Sequence, residues 1–140
     1  MKKLILTSIV VLACYFMQES HAQISFVVAK EGSSSIAYLV THGGTSTNAR
    51  KQLKAKYPNN SASSQGCDTE CGHKLTSGYY VIVKCLRKDY NGNPRTSYGL
   101  GASSTNWAEA EERAVKNLAM YDWNWSRKKH GYQVEIKKEF

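Results

Sequence analysis

Residues 79–86, Tyr79-Tyr80-Val81-Ile82-Val83-Lys84-Cys85-Leu86, are apolar at odd and even positions alike, with Lys84 the one charge. Strand side chains alternate between two faces, so such a run belongs to a strand covered on both sides or most of both, in the middle of a sheet. Asp89-Tyr90-Asn91-Gly92-Asn93-Pro94 is turn chemistry, and residues 96–102 return as the partner strand. Gly99 and Gly101 within that return leave room for a helix or another backbone to approach closely. Asn106 followed by Glu109 has capping-box spacing, and Glu109, Glu111 and Glu112 set negative charge near the positive helix terminus. Trp107, Ala110, Ala114, Val115 and Leu118 then fall on one stripe, with Glu109–Arg113 and Glu112–Lys116 as pairs on the wet side, and the helix is expected to reach about residue 121. A last strand alternates Tyr132, Val134 and Ile136 with Gln133, Glu135 and Lys137, the polar set facing water.

Toward the N-terminus, residues 24–30 and 35–41 read as a β-hairpin around Glu31-Gly32-Ser33-Ser34. Asn48 is expected to cap a short helix with apolar contacts at Ala49, Leu53 and Tyr57, stopped by Pro58. Residues 59–77, rich in Ser, Asn, Gly and Cys, read as a long loop. The halves echo each other: Ser46-Thr47-Asn48 and Ser104-Thr105-Asn106 stand at the two helix starts, and Tyr38 and Tyr98 on the preceding strands. Two degenerate ββα units would give that echo, and so would ordinary capping chemistry. The expected fold is α+β, an antiparallel sheet of about five strands with two helices packed on one face, in the order ββα-ββα-β.

The chain has 140 residues, 41% hydrophobic and 21% charged, which is enough for one core and too little charge for a disordered polyelectrolyte. Lys2 and Lys3 precede an apolar or small run over residues 4–16, and Ser20-His21-Ala22 is a small-x-small cleavage pattern before Gln23. A signal peptide over 1–22 and a single α+β domain over 23–140 follow, with export to the periplasm or beyond. The run of about 13 residues falls short of the roughly 20 that span a bilayer, so no transmembrane segment is expected in the mature chain. Val11-Leu12-Ala13-Cys14 offers the alternative of a lipoprotein acylated at Cys14. Cleavage removes Lys2, Lys3 and Glu19 from the 19 basic and 11 acidic residues, leaving 17 and 10. A basic exported surface attracts anionic envelope polymers through long-range, salt-screened forces, or simply keeps the protein soluble.

Tyr98-Gly99-Leu100-Gly101-Ala102-Ser103 followed by Ala108-Glu109-Ala110-Glu111-Glu112-Arg113-Ala114 resembles two known patterns. It is similar to the C-terminal half of a double-stranded-RNA-binding domain, a resemblance that implies lysines at the helix start gripping phosphate. Here the first turns hold Glu109, Glu111 and Glu112, which repel phosphate, so RNA binding does not carry over and no intracellular nucleic acid is expected as a partner. Over about residues 79–122 it also resembles small exported bacterial domains of unknown function built from repeated hairpin-helix units. That resemblance implies export and a fold, and brings no catalytic residue with it.

Three cysteines follow the cleavage site, an odd number for an oxidising compartment. Cys67 and Cys71 can bridge within their loop, leaving Cys85 buried, or Cys85 can pair with one of them. Cys67, Cys71, His73 and Cys85 would also suit tetrahedral zinc, but the spacing is irregular and the compartment favours disulfides, so no metal or cofactor is expected. Trp123, Trp125, Arg127, Lys128 and Lys129 interleave rings and cations, a combination that stacks on sugars or bases and pairs with phosphate, or that closes a core and complements a helix end. The expected function is a non-enzymatic binding module for an anionic envelope component or a partner protein. The alternatives are a small hydrolase using His42 or the Cys71 and His73 region, and an inhibitor or immunity-type protein.

Overall fold

The computed structural model describes residues 24–43, 45–66, 75 and 77–140. Its first half runs β1 (Ile24–Glu31), β2 (Ser34–His42), α1 (Ser46–Lys56) and β3 (Ser61–Ser64). The second half runs β4 (Tyr79–Lys88), β5 (Pro94–Ser103), α2 (Trp107–Tyr121), a single turn α3 (Arg127–His130) and β6 (Gln133–Glu139). The fold is α+β, but the single sheet of about five strands expected from sequence is replaced by two antiparallel three-stranded sheets, ordered β2-β1-β3 and β5-β4-β6. In each, the first strand of its half is central, the second lies on one edge, and the strand after the helix lies on the other. The repeat is thus ββαβ, one strand longer than the predicted ββα.

Side-chain alternation explains why two sheets form. Ile24, Phe26 and Val28 of β1 meet Tyr80 and Ile82 of β4 and Tyr98, Leu100 and Ala102 of β5 in one buried cluster between the sheets. The opposite faces carry the helices: Val27 and Ala29 lie under Ala49 and Leu53 of α1, and Val81, Val83 and Cys85 under Ala110, Ala114, Val115 and Leu118 of α2. The layers therefore run helix, sheet, sheet, helix, and the two helices stand on opposite outer faces rather than sharing one. Both central strands are apolar on both sides for this reason. Tyr38 and Tyr98, the aromatic echo between the halves, meet across the sheet interface with ring centroids 4.9 Å apart.

Local differences from the sequence expectation have identifiable causes. Thr45, not Asn48, caps α1, its hydroxyl accepting from the Asn48 amide at 3.2 Å, so the helix starts at Ser46 and the Ser-Thr-Asn triplet forms its first turn. At α2 the cap is Asn106, accepting from the Glu109 amide at 2.8 Å, while the Glu109 carboxylate turns away to the Ser103 hydroxyl and to Arg113. Trp107 is half-buried against Tyr79 rather than sealed in the stripe, centroids 4.8 Å apart. Glu112 pairs with Arg127 instead of Lys116. Within the predicted loop, Ser61–Ser64 forms β3 because β1 offers it a free edge from Val27 to Lys30. In β6, a shift in register between Ile82 and Val83 inserts Glu135 as a bulge. Ile136 consequently turns into the inter-sheet core while Val134 remains 40% exposed.

The outer edge of β5 is buried, and two amides satisfy it. Asn117 Oδ1 accepts from the Leu100 amide at 3.1 Å and from Gln65 Nε2 at 3.3 Å. Gln65 Nε2 also donates to the Tyr98 carbonyl, and Asn117 Nδ2 donates to the Gly66 carbonyl. These contacts tie the end of β3 to α2 and give both buried side-chain amides hydrogen-bond partners in the interior. No helix among the described residues is long and apolar enough to cross a membrane.

Candidate functional site

Three connections converge at one end of the sandwich: the β1–β2 turn, the β4–β5 turn and the segment joining α2 to α3. Between them lies a cleft of about 470 Å³. The β1–β2 turn contributes Lys30 and Ser33, the β4–β5 turn contributes Arg87 to Tyr90 and Arg95, and the α2–α3 segment contributes Tyr121 to Asn124, Lys129 and His130.

Two arginine–aspartate pairs build the floor. Asp122 terminates α2, and Arg87 from β4 grips it with both prongs, Nε at 2.9 Å and Nη2 at 2.7 Å, while Ser97 Oγ donates to it at 2.6 Å. The side chains of Arg87 and Asp122 are 11% and 6% exposed, so this pair is held in a low-dielectric position. Burial by itself would raise the Asp122 carboxyl, but the hydrogen bonds from Arg87 and Ser97 prevail and hold it below the usual range. Asp89 organises the β4–β5 turn, accepting from the amides of Asn91 and Asn93, each at 2.9 Å, and from Arg95 Nε at 3.1 Å. Desolvation raises this carboxyl too, and again the Asn93 amide, Arg95 and the Asn91 amide outweigh it.

With both carboxylates saturated by arginine, the unspent charge on the cleft is positive. Lys30, Lys88 and Lys129 have no carboxylate within ion-pair distance among the described residues. Above them stand two rings in solvent, Tyr90 at 96% and Trp123 at 86% exposure. Such exposure of large aromatics beside cations gives flat stacking surfaces and charge-assisted donors in one place.

The aromatic and basic segment that the sequence singled out is divided by the structure. Trp123 and Lys129 line the cleft. Trp125 is buried with Cys85 and Leu118, its Nε1 donating to the Gly131 carbonyl at 2.7 Å, and so anchors the loop that presents Trp123. Arg127 is occupied elsewhere, by Glu112 at 3.2 Å and over the ring of Tyr132, and Lys128 is exposed outside the cleft. Sequence reasoning passed over Lys30, Lys88 and Tyr90. An aromatic in the middle of a turn cluster, preceded by Arg87 and Lys88, was the available signal.

The residues of the hydrolase alternative do not meet here. His42 is exposed at the end of β2, against the rings of Tyr80 and Phe140 at 5.7 and 5.6 Å, and no hydrogen bond joins it to an acid or a nucleophile among the described residues. Cys67, Cys71 and His73 lie outside the described residues. Cys85 is a free, buried thiol on β4, pushed up first by burial and then by the Asp122 charge, against the opposing pull of Arg87. Among the described residues no cluster of His, Cys, Asp or Glu could hold a metal ion. Comparison with protein-family models, curated proteins and solved structures finds no match to the chain, so the chemistry of the cleft rests on its own residues.

Proposed function

We propose that the chain is a small exported binding module, not an enzyme, whose cleft takes an anionic component of the cell envelope. The observation that carries this reading is the convergence of Lys30, Lys88 and Lys129 around the solvent-standing rings of Trp123 and Tyr90, over a floor whose acids are already neutralised. Unpaired lysines draw in the anion, and the rings give it a face to lie on. Retention on immobilised heparin and on isolated envelopes tests it. Lys88→Gln with Lys129→Gln should elute at clearly lower salt, with the slope of log affinity against log salt falling by about one per lysine removed. Trp123→Ala should weaken binding with little change in that slope. Arg127→Gln, paired outside the cleft, is the control and should behave as the parent. All of these positions are surface-exposed, so thermal unfolding should change by less than about 1 kcal/mol. Parental retention of the double Gln variant at every salt concentration would reject the cleft.

Export to an oxidising compartment also bears on the cysteines. Because Cys85 is sealed beneath α2 and Trp125, the bridge is expected between Cys67 and Cys71. Non-reducing peptide mapping should find that disulfide, and maleimide should label Cys85 only after denaturant is added. A disulfide that includes Cys85 would overturn the assignment.

A further inference from the structure

A second groove lies one strand pairing away from Lys30. In the β1–β3 pairing Lys30 stands opposite Ser61, whose Oγ donates to the Lys30 carbonyl at 3.4 Å. Ser61 in turn lines this groove, between α1 and the edge strand β3, with Ala55, Pro58 and Ala62 as its apolar floor and Arg50, Lys51 and Lys54 along its rim. Lys54 Nζ holds the connecting turn through the Asn60 carbonyl at 2.7 Å, whereas Arg50 and Lys51 have no ion-pair partner among the described residues. No acidic residue occurs from Gly32 to Gly66. In the second half, by contrast, Asp89, Glu109, Glu111, Glu112, Asp122 and Glu135 each take a cation. Unpaired cations therefore stand on both sides of the β1–β3 pairing, Lys30 on its inter-sheet face and Arg50 and Lys51 on α1 across it, with the exposed Glu31 beside Lys30 as an acid that takes no ion pair among the described residues.

We infer that the two grooves form one track for an extended acidic polysaccharide, with the cleft as its stacking end and α1 as its charge-reading end. This rests on the cleft binding an anion at all, and adds that the ligand is a polymer long enough to reach α1. Charge complementarity selects a polyanion, since a single small anion could engage only one of the grooves. Trp123 and Tyr90 offer flat surfaces on which the apolar faces of sugar rings lie, and because exposed Trp and Tyr beside cations also suit a bilayer interface, vesicles form the competing arm of the test.

The test compares the parent, a cleft variant (Lys88→Gln with Lys129→Gln) and an α1 variant (Arg50→Gln with Lys51→Gln), each checked for unchanged circular dichroism and Tm. Titrations use full-length heparin, short heparin oligosaccharides, duplex DNA and phosphatidylglycerol vesicles. The α1 variant should lose about tenfold in affinity for full-length heparin, with a shallower salt slope, and keep parental affinity for the short oligosaccharides. The cleft variant should lose affinity for both. An α1 variant that binds full-length heparin like the parent overturns the track while the cleft survives. A cleft variant that also binds like the parent removes the reading beneath it. Tighter binding of DNA or vesicles than of heparin overturns the polysaccharide assignment.

Discussion

Gly101→Val is expected to leave the protein unfolded. A Cβ placed on Gly101 overlaps the Ala110 carbonyl oxygen and the Ala114 amide nitrogen, which are backbone atoms of α2. At Gly99 a Cβ would stand 2.6 Å from the Leu118 amide nitrogen and 2.8 Å from its Cβ. No rotamer relieves these contacts, so the helix would have to lift from β5. Lifting it would open the cluster of Val81, Val83, Ala110, Ala114 and Leu118 and break the Asn117 bond to the Leu100 amide. Even Gly101→Ala should cost about 3 kcal/mol or more, at the upper end of overpacking effects. Gly66→Ala, with nothing within 4 Å of its added Cβ, should stay within about 0.5 kcal/mol of the parent. Urea unfolding followed by circular dichroism measures all three, and a cooperative Gly101→Val with parental midpoint would contradict the close helix–strand contact.

Asp122→Ala should cost about 3 to 5 kcal/mol, because it leaves the nearly buried Arg87 guanidinium without its counter-charge. Replacing both partners, Arg87→Met with Asp122→Leu, should recover much of that loss, since the stranded charge is then gone. The same pair sets a pH dependence. The Asp122 carboxyl lies below its unfolded value, so its contribution is present in full above about pH 4 and is lost as pH falls through the folded value. Glu109, held down first by the Ser103 hydroxyl, and Glu111, held down first by Lys137, titrate in the same direction. The Asp122 part is therefore the difference between parent and Asp122→Ala profiles, which should narrow on acidification. A difference independent of pH would show that the carboxylate charge is not what the variant removes.

Much of the second half was legible in the residues. The two-faced apolar run of β4, the turn at Asp89, the paired glycines of β5 and the capped stripe of α2 each report local chemistry, and α2 ends at Tyr121 as its periodicity required. The close approach at Gly99 and Gly101 was readable because only a missing Cβ tolerates it. The first half was read less well. Ile24 to Ala29 is also apolar on both faces apart from Ser25, a signal that β1 is a second central strand, and Ser61–Ser64 has no periodicity or β-branched residue to announce β3. The Tyr38 and Tyr98 echo pointed to a repeat but could not say that the two rings would touch.

By itself, then, the sequence determined the strands and the long helix of the second half, but not the single turn α3; it also determined where the backbone must come close and that the chain carries excess positive charge. Those properties depend on neighbours a few residues apart. Only the tertiary structure decided that the halves stack as separate sheets, that Trp125 is an anchor while Trp123 stands in solvent, and that Lys30, Lys88 and Lys129 share one cleft. The same holds for which cations remain unneutralised, because Arg87, Arg95 and Arg127 find their acids through pairings of loop, strand and helix. Burial and salt bridging are set by what packs across the fold, and no local pattern encodes the distance between residues 30 and 129.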